Sequence, residues 1–203
     1  MSYQHMFYGL DLARLQSTFG CRDEVFLEEV LEKQAEELAD VDEFVGGDLD
    51  ELEMPTAENA LREIFAGSIG DYTNAAPMFG YVLKILCTHL GQPIGTDVAC
   101  VRDHPFKSQL VAAGPPIPIP YDKTDFPEIG YLSLTEIPAE IARLDQAPHR
   151  AKRSFFLTLL NRLSGGIIGR QMSDEDVIQD MQAYRETLQE ALTKRLSIVS
   201  FRH

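Results

Sequence analysis

The chain has 203 residues, 44% of them apolar and 25% charged, with a net charge of −14 and a pI near 4.7. That length suits a single domain over residues 1–203, with enough chain to build a core without disulfide staples. An acidic surface repels phosphate and anionic lipid, which argues against nucleic-acid binding and membrane docking and leaves a basic protein as the electrostatically matched partner.

The opening segment, MSYQHMFYGLDLARL, has no basic n-region, and polar residues interrupt its apolar stretch, so it does not read as a signal peptide. No run of about 18 apolar residues follows anywhere. His5 to Leu10 predicts a short strand. Asp11 is placed to cap a helix through Leu12, Leu15 and Phe19, which Gly20 stops. Leu27, Leu31, Ala35 and Leu38 then fall on one face of an amphipathic helix, with Glu28, Glu29, Glu32, Glu36 and Glu37 on the other. The charge is concentrated here: Asp23 to Glu53 holds fourteen acids against one base, Lys33. The second half of that segment, with Gly46-Gly47, shows little helical patterning. Residues 40–55 read as an acidic loop or small appendage.

Thr56 predicts the cap of a helix containing Leu61, Ile64 and Phe65, ended by Gly67. MFGYVLKILCTHLG is apolar on most sides, as a central buried helix would be, and Gly91 and Pro93 stop it. Val98 to Val101 reads as a short strand and Pro105 to Ala113 as a helical turn. Gly114 to Pro120 is too rich in proline for a helix and predicts an extended strap with Ile117 and Ile119 facing inward. Ile129 to Leu134 is the next strand. Glu136 to Leu144 is a helix with Pro138 in its first turn. Ser154 to Leu163 is an apolar helix ended by Gly165-Gly166. Ser173 opens a long helix that closes on Lys194 and Arg195, and Leu196 to Phe201 is a final strand. The fold expected is α+β, mostly helical, with a small sheet that includes the N- and C-terminal strands.

Several blocks carry a resemblance: FYGLDLARL with GCRDEVFLEEV, ALREIFAG with FGYVLKILCTHLG, PPIPIPYDKTDFPEIGYL, and the closing LSIVSFRH. Together they resemble an uncharacterised bacterial domain family, distantly similar to YfbM-like proteins, which are also without established function. The resemblance implies an α+β fold and a bacterial setting and transfers no catalytic residue. Ala147 to Arg170, basic and glycine-rich, departs from the pattern.

The motifs that could carry chemistry are incomplete. Read as a calcium loop from Asp42 to Glu53, the segment places Phe44 and Gly46 where side-chain oxygens are required. Cys87 and His89 are two apart on a helix and point apart, while Cys100 and His104 lie in an ambiguous stretch, so no four-ligand zinc set forms. Three cysteines give no disulfide framework and suit the reducing cytoplasm. There is no G-x-S-x-G elbow. Ser164 to Arg170 is glycine-rich but follows a helix and lacks the P-loop ending. His149 to Arg153 is the densest basic patch, able to meet an anion or the acidic segment. Pro115-x-x-Pro118 reads as a rigid surface crossing rather than an SH3-type ligand.

The sequence therefore points to an interaction protein without cofactor or metal. It would present Asp40, Asp42, Glu43, Asp48, Asp50, Glu51 and Glu53 to a basic protein partner, for instance as an immunity- or antitoxin-like antagonist. The alternatives are a hydrolase-like enzyme whose dispersed site draws on Tyr81, Cys87, His89 and His104, or a small-ligand sensor.

Overall fold

The computed structural model describes residues 3–45, 54–96, 98–100, 110, 113–122, 127–146 and 174–202. Strand β1 (Tyr3–Leu10) is followed by α1 (Leu12–Thr18), α2 (Glu24–Lys33), α3 (Ala35–Val45), α4 (Ala57–Ala66) and α5 (Ala76–Leu90). Then come β2 (Gly91–Pro93), β3 (Val98–Cys100), β4 (Glu128–Leu132), a helix α6 over 137–146, α7 (Asp174–Lys194) and β5 (Ser197–Arg202). The fold is α+β, mostly helical, around one antiparallel sheet ordered β2-β1-β5-β4, with β3 also paired to β1. The two terminal strands pair with each other, from His5 opposite Arg202 to Leu10 opposite Ser197, and β4 adds to the far side of β5.

Because side chains alternate across a strand, this register sorts the sheet into two faces. Tyr8, Leu10, Ile129, Val199 and Phe201 pack into a core with α1 to α5, centred on Met78, Phe79, Val82, Leu83 and Leu86 of α5. Phe7, Leu132 and Ile198 pack on the other side with Ile137 and Leu144 of α6 and Tyr184, Leu188 and Ala191 of α7. All six residues of β5 are buried, as expected of a central strand covered on both faces.

Local chemistry sets most helix ends. The Asp11 carboxylate accepts from the N–H groups of Ala13 and Arg14, Asp23 from Phe26, and the Thr56 hydroxyl from Asn59. Gly67 ends α4 in the left-handed region at φ +69° and sits hard against Gly20; a Cβ at Gly67 would come within 2.6 Å of the Gly20 Cα. That close approach lets the N–H groups of Gly20 and Arg22 cap the last carbonyls of α4, at Ile64 (2.9 Å) and Phe65 (3.0 Å), and so fixes where α2 starts.

Four sequence expectations change. The helix expected through Leu27 to Leu38 breaks at Gln34 into α2 and α3, and Ala35 is exposed rather than on the buried stripe. Asp40 to Val45, expected as loop, continues α3, because Val41 and Val45 join Leu38 against the core. Gly91 to Pro93 does more than stop α5: it forms an edge strand on β1, with Pro93 opposite Tyr8. Edge strands are where a missing proline N–H is tolerated. The proline strap buries Ile117 and Ile119 as expected, but it is not uniformly extended, since the Ile119 N–H bonds the Ile117 carbonyl at 2.9 Å in a tight turn over Pro118. The helical turn expected at Pro105–Ala113 is described only at Leu110, which is helical, and at Ala113, while Ser154–Leu163 and the segments 149–153 and 164–170 lie outside the described residues.

The end of α7 gives a direct test of backbone strain. The N–H of Arg195 bonds Leu192 and that of Leu196 bonds Ala191, a Schellman closure with arginine at φ +56° in the place that favours glycine. Arg195→Gly should raise stability by about 0.5–1 kcal/mol, read as a higher urea midpoint with unchanged slope.

Candidate functional site

The acidic helices divide cleanly into an inner and an outer face. Leu27 and Val30 of α2 and Leu38 of α3 are buried, and Val41 and Val45 pack beside them. Outward lie Glu24, Glu28, Glu29, Glu32, Glu36, Glu37, Asp40 and Glu43, all exposed. Some of this charge is matched locally. Lys33 reaches Glu29 at 2.7 Å, and Arg62 of α4 reaches Glu58 at 2.9 Å and Glu28 at 3.4 Å. Among the described residues, no cation lies within ion-pair distance of Glu32, Glu36, Glu37, Asp40 or Glu43.

Of the acids expected to meet a partner, Asp40 and Glu43 stand on the outer face of α3. Asp42 is half-buried and faces the other way: its carboxylate accepts from the Ala57 N–H at 2.7 Å, so it caps α4 from a distance of fifteen residues. Asp48, Asp50, Glu51 and Glu53 lie outside the described residues. The two kinds of acid separate experimentally. Asp42→Ala should cost about 1 kcal/mol in chemical denaturation, as loss of a helix cap does, whereas Asp40→Ala should change stability by less than about 0.5 kcal/mol.

Two large apolar side chains stand out from the described surface, Val25 at 83% exposure and Phe44 at 75%, and both belong to the acidic helices. The Phe44 ring meets the Tyr81 ring of α5 edge to face, with centroids 5.7 Å apart. At the other end of α2, an open cleft of about 450 Å³ lies between α1 and α2, lined among others by Arg14, Thr18, Cys21, Asp23, Phe26 and Glu29. Its charges are mixed, and the Arg14 guanidinium sits 5.8 Å over the Phe26 ring.

Of the residues considered for a dispersed enzyme site, the three that are described, Tyr81, Cys87 and His89, make separate contacts. Cys87 is fully buried, and burial pushes its thiol far above the ordinary range, away from the reactive thiolate. His89 turns to Phe26 and, at 3.9 Å, to Glu29; its pKa is lowered by burial, against the pull of Glu29. Tyr81 meets Phe44. His104 lies outside the described residues, as does the side chain of Cys100. Among the described residues there is no group of three or more metal-ligating side chains and no helix long and apolar enough to cross a membrane.

The sequence reading missed a buried polar row. On the second face of the sheet, His5, Arg202 and Glu128 stand side by side across β1, β5 and β4. Arg202 binds Glu128 at 2.8 Å, and burial, followed by the Arg202 charge, lowers the His5 pKa to about 4. Phe7 links the row to Tyr184, whose hydroxyl donates to Glu140 at 3.1 Å, and Glu140 holds Arg143 through two bonds of 2.7 Å. The signal available in sequence was a polar residue near the start of two apolar strands, His5 and Glu128, and at the end of a third, Arg202; only the antiparallel register brings them together. The ion pairs are charge-matched and the row can hold the strand ends in register; the lowered pKa of His5 leaves its imidazole a weak base near pH 7, not one tuned for proton transfer at that pH.

The whole chain, residues 1–203, matches a family model described as a domain of unknown function, DUF7691, and the chain belongs to that family. No curated protein and no solved structure matches it.

Proposed function

We propose that this DUF7691 domain is a non-enzymatic interaction protein, a single cytosolic bacterial domain that presents the outer faces of α2 and α3 to a basic protein partner. One concrete form is an immunity- or antitoxin-like antagonist capping a basic toxin, and distant kinship to YfbM-like proteins belongs to the same reading. The supporting observation is the division of labour on these helices. The core accounts for their inner faces, while Glu32, Glu36, Glu37, Asp40 and Glu43 point outward with no cation in ion-pair reach among the described residues. A one-signed surface of that kind accelerates encounter with an oppositely charged partner and makes association sensitive to salt.

Purification of the tagged full chain from its native host at low and at high salt tests the proposal. The expected result is a basic protein recovered in stoichiometric amount at low salt and depleted at high salt. Recovery of no stoichiometric partner at either salt would contradict it.

A further inference from the structure

We infer that Phe44, steadied by Tyr81, is the apolar anchor of this interface, and that its occupant is a basic segment of a partner protein carrying arginine or lysine beside an apolar side chain. The inference deepens the proposed function and rests on it. Three observations lead to it.

Phe44 keeps 75% of its surface exposed in a chain that buries Phe7, Phe65, Phe79 and Phe201 almost completely. Aromatic side chains of this kind dominate binding energy where an interface excludes water around them. The ring is also braced. Its edge-to-face contact with Tyr81, at 5.7 Å and 74°, limits the rotamer freedom that binding would otherwise have to remove.

Charge decides the occupant. Asp40 lies one helical turn before Phe44, Glu43 is adjacent, and Glu37 lies two turns back, all on exposed positions of α3. An apolar partner surface without cations would desolvate these carboxylates uncompensated, and an acidic one would be repelled. A guanidinium satisfies both demands, since it can lie over the Phe44 ring and bond a carboxylate one turn away.

A random peptide library displayed on phage and selected against the full chain tests this. Sequences enriched at low salt should combine Lys or Arg with an aliphatic or aromatic residue. Their affinity should fall about tenfold or more in Phe44→Ala, the loss typical of an interface anchor. It should hold within about twofold when exposed Gln189 on the distant α7 is changed to alanine. Phe44→Ala removes a mostly exposed side chain and its ring contact with Tyr81, so its thermal midpoint should fall by no more than about 5 °C and certify the fold. Basic sequences that bind Phe44→Ala as tightly as wild type would overturn the anchor while leaving the acidic-surface reading standing. Enrichment of neutral or acidic sequences, or of none, would overturn both. Self-association of the free chain that Phe44→Ala abolishes would assign the surface to a second copy and also overturn the proposal.

Discussion

Arg143→Met is expected to cost about 3 kcal/mol of folding stability, the lower part of the range for breaking a buried ion pair. The reason is the asymmetry of the pair. Glu140 is 1% exposed, whereas the Arg143 side chain is 35% exposed. Removing the arginine takes two charge-assisted bonds from a carboxylate that stays in the core, where the Tyr184 hydroxyl still donates to it but carries no compensating charge. Removing the glutamate instead leaves a guanidinium that can turn to water, so Glu140→Met should cost less, about 1–2 kcal/mol. The double variant should be more stable than Arg143→Met alone, because the buried charge is gone. Urea denaturation of the four proteins gives the cycle directly. Equal losses in the two single variants would show that the burial asymmetry does not govern this pair.

Acid should destabilise the protein through His5. Its folded pKa of about 4 lies below the unfolded value of 6.5, because burial and then Arg202 disfavour the imidazolium. The unfolded state therefore binds the proton first as pH falls. Stability from this residue is complete above about pH 6.5, declines through the window from 6.5 to 4, and does not fall further once both states are protonated. The full loss is on the order of 3 kcal/mol, from about 1.4 kcal/mol for every pH unit that separates the folded and unfolded values. His5→Gln cannot titrate, so its stability should vary less with pH across that window. Parallel pH profiles for wild type and variant would contradict the linkage.

The features legible in sequence were those set by neighbours along the chain. Asp11, Thr56 and Gly67 announced helix ends because capping depends on residues within a turn. The terminal strands announced themselves as short apolar runs, HMFYGL and LSIVSF, and they do pair. What was hidden depends on distant partners. Asp40 to Val45 is helical because Val41 and Val45 meet a core built by α5, which no local pattern reports. Asp42 looked interchangeable with its acidic neighbours, yet its carboxylate caps α4. The His5–Arg202–Glu128 row exists only through the register of three strands drawn from both ends and the middle of the chain. The candidate surface was half legible: its acidity was plain, but the choice of Asp40 and Glu43 over Asp42, and the place of Phe44 among them, required the helix.

The most direct measurement compares capture of the proposed basic partner by wild type and by a variant carrying Asp40→Asn and Glu43→Gln, with thermal midpoints measured alongside. Both side chains are exposed and unpaired with any described cation, so the fold should be unaffected. The expected result is an unchanged midpoint with partner recovery reduced severalfold at low salt, where unscreened charge contributes most. Unchanged recovery with an unchanged midpoint would contradict the account and leave the acidic face of α3 as a device for solubility.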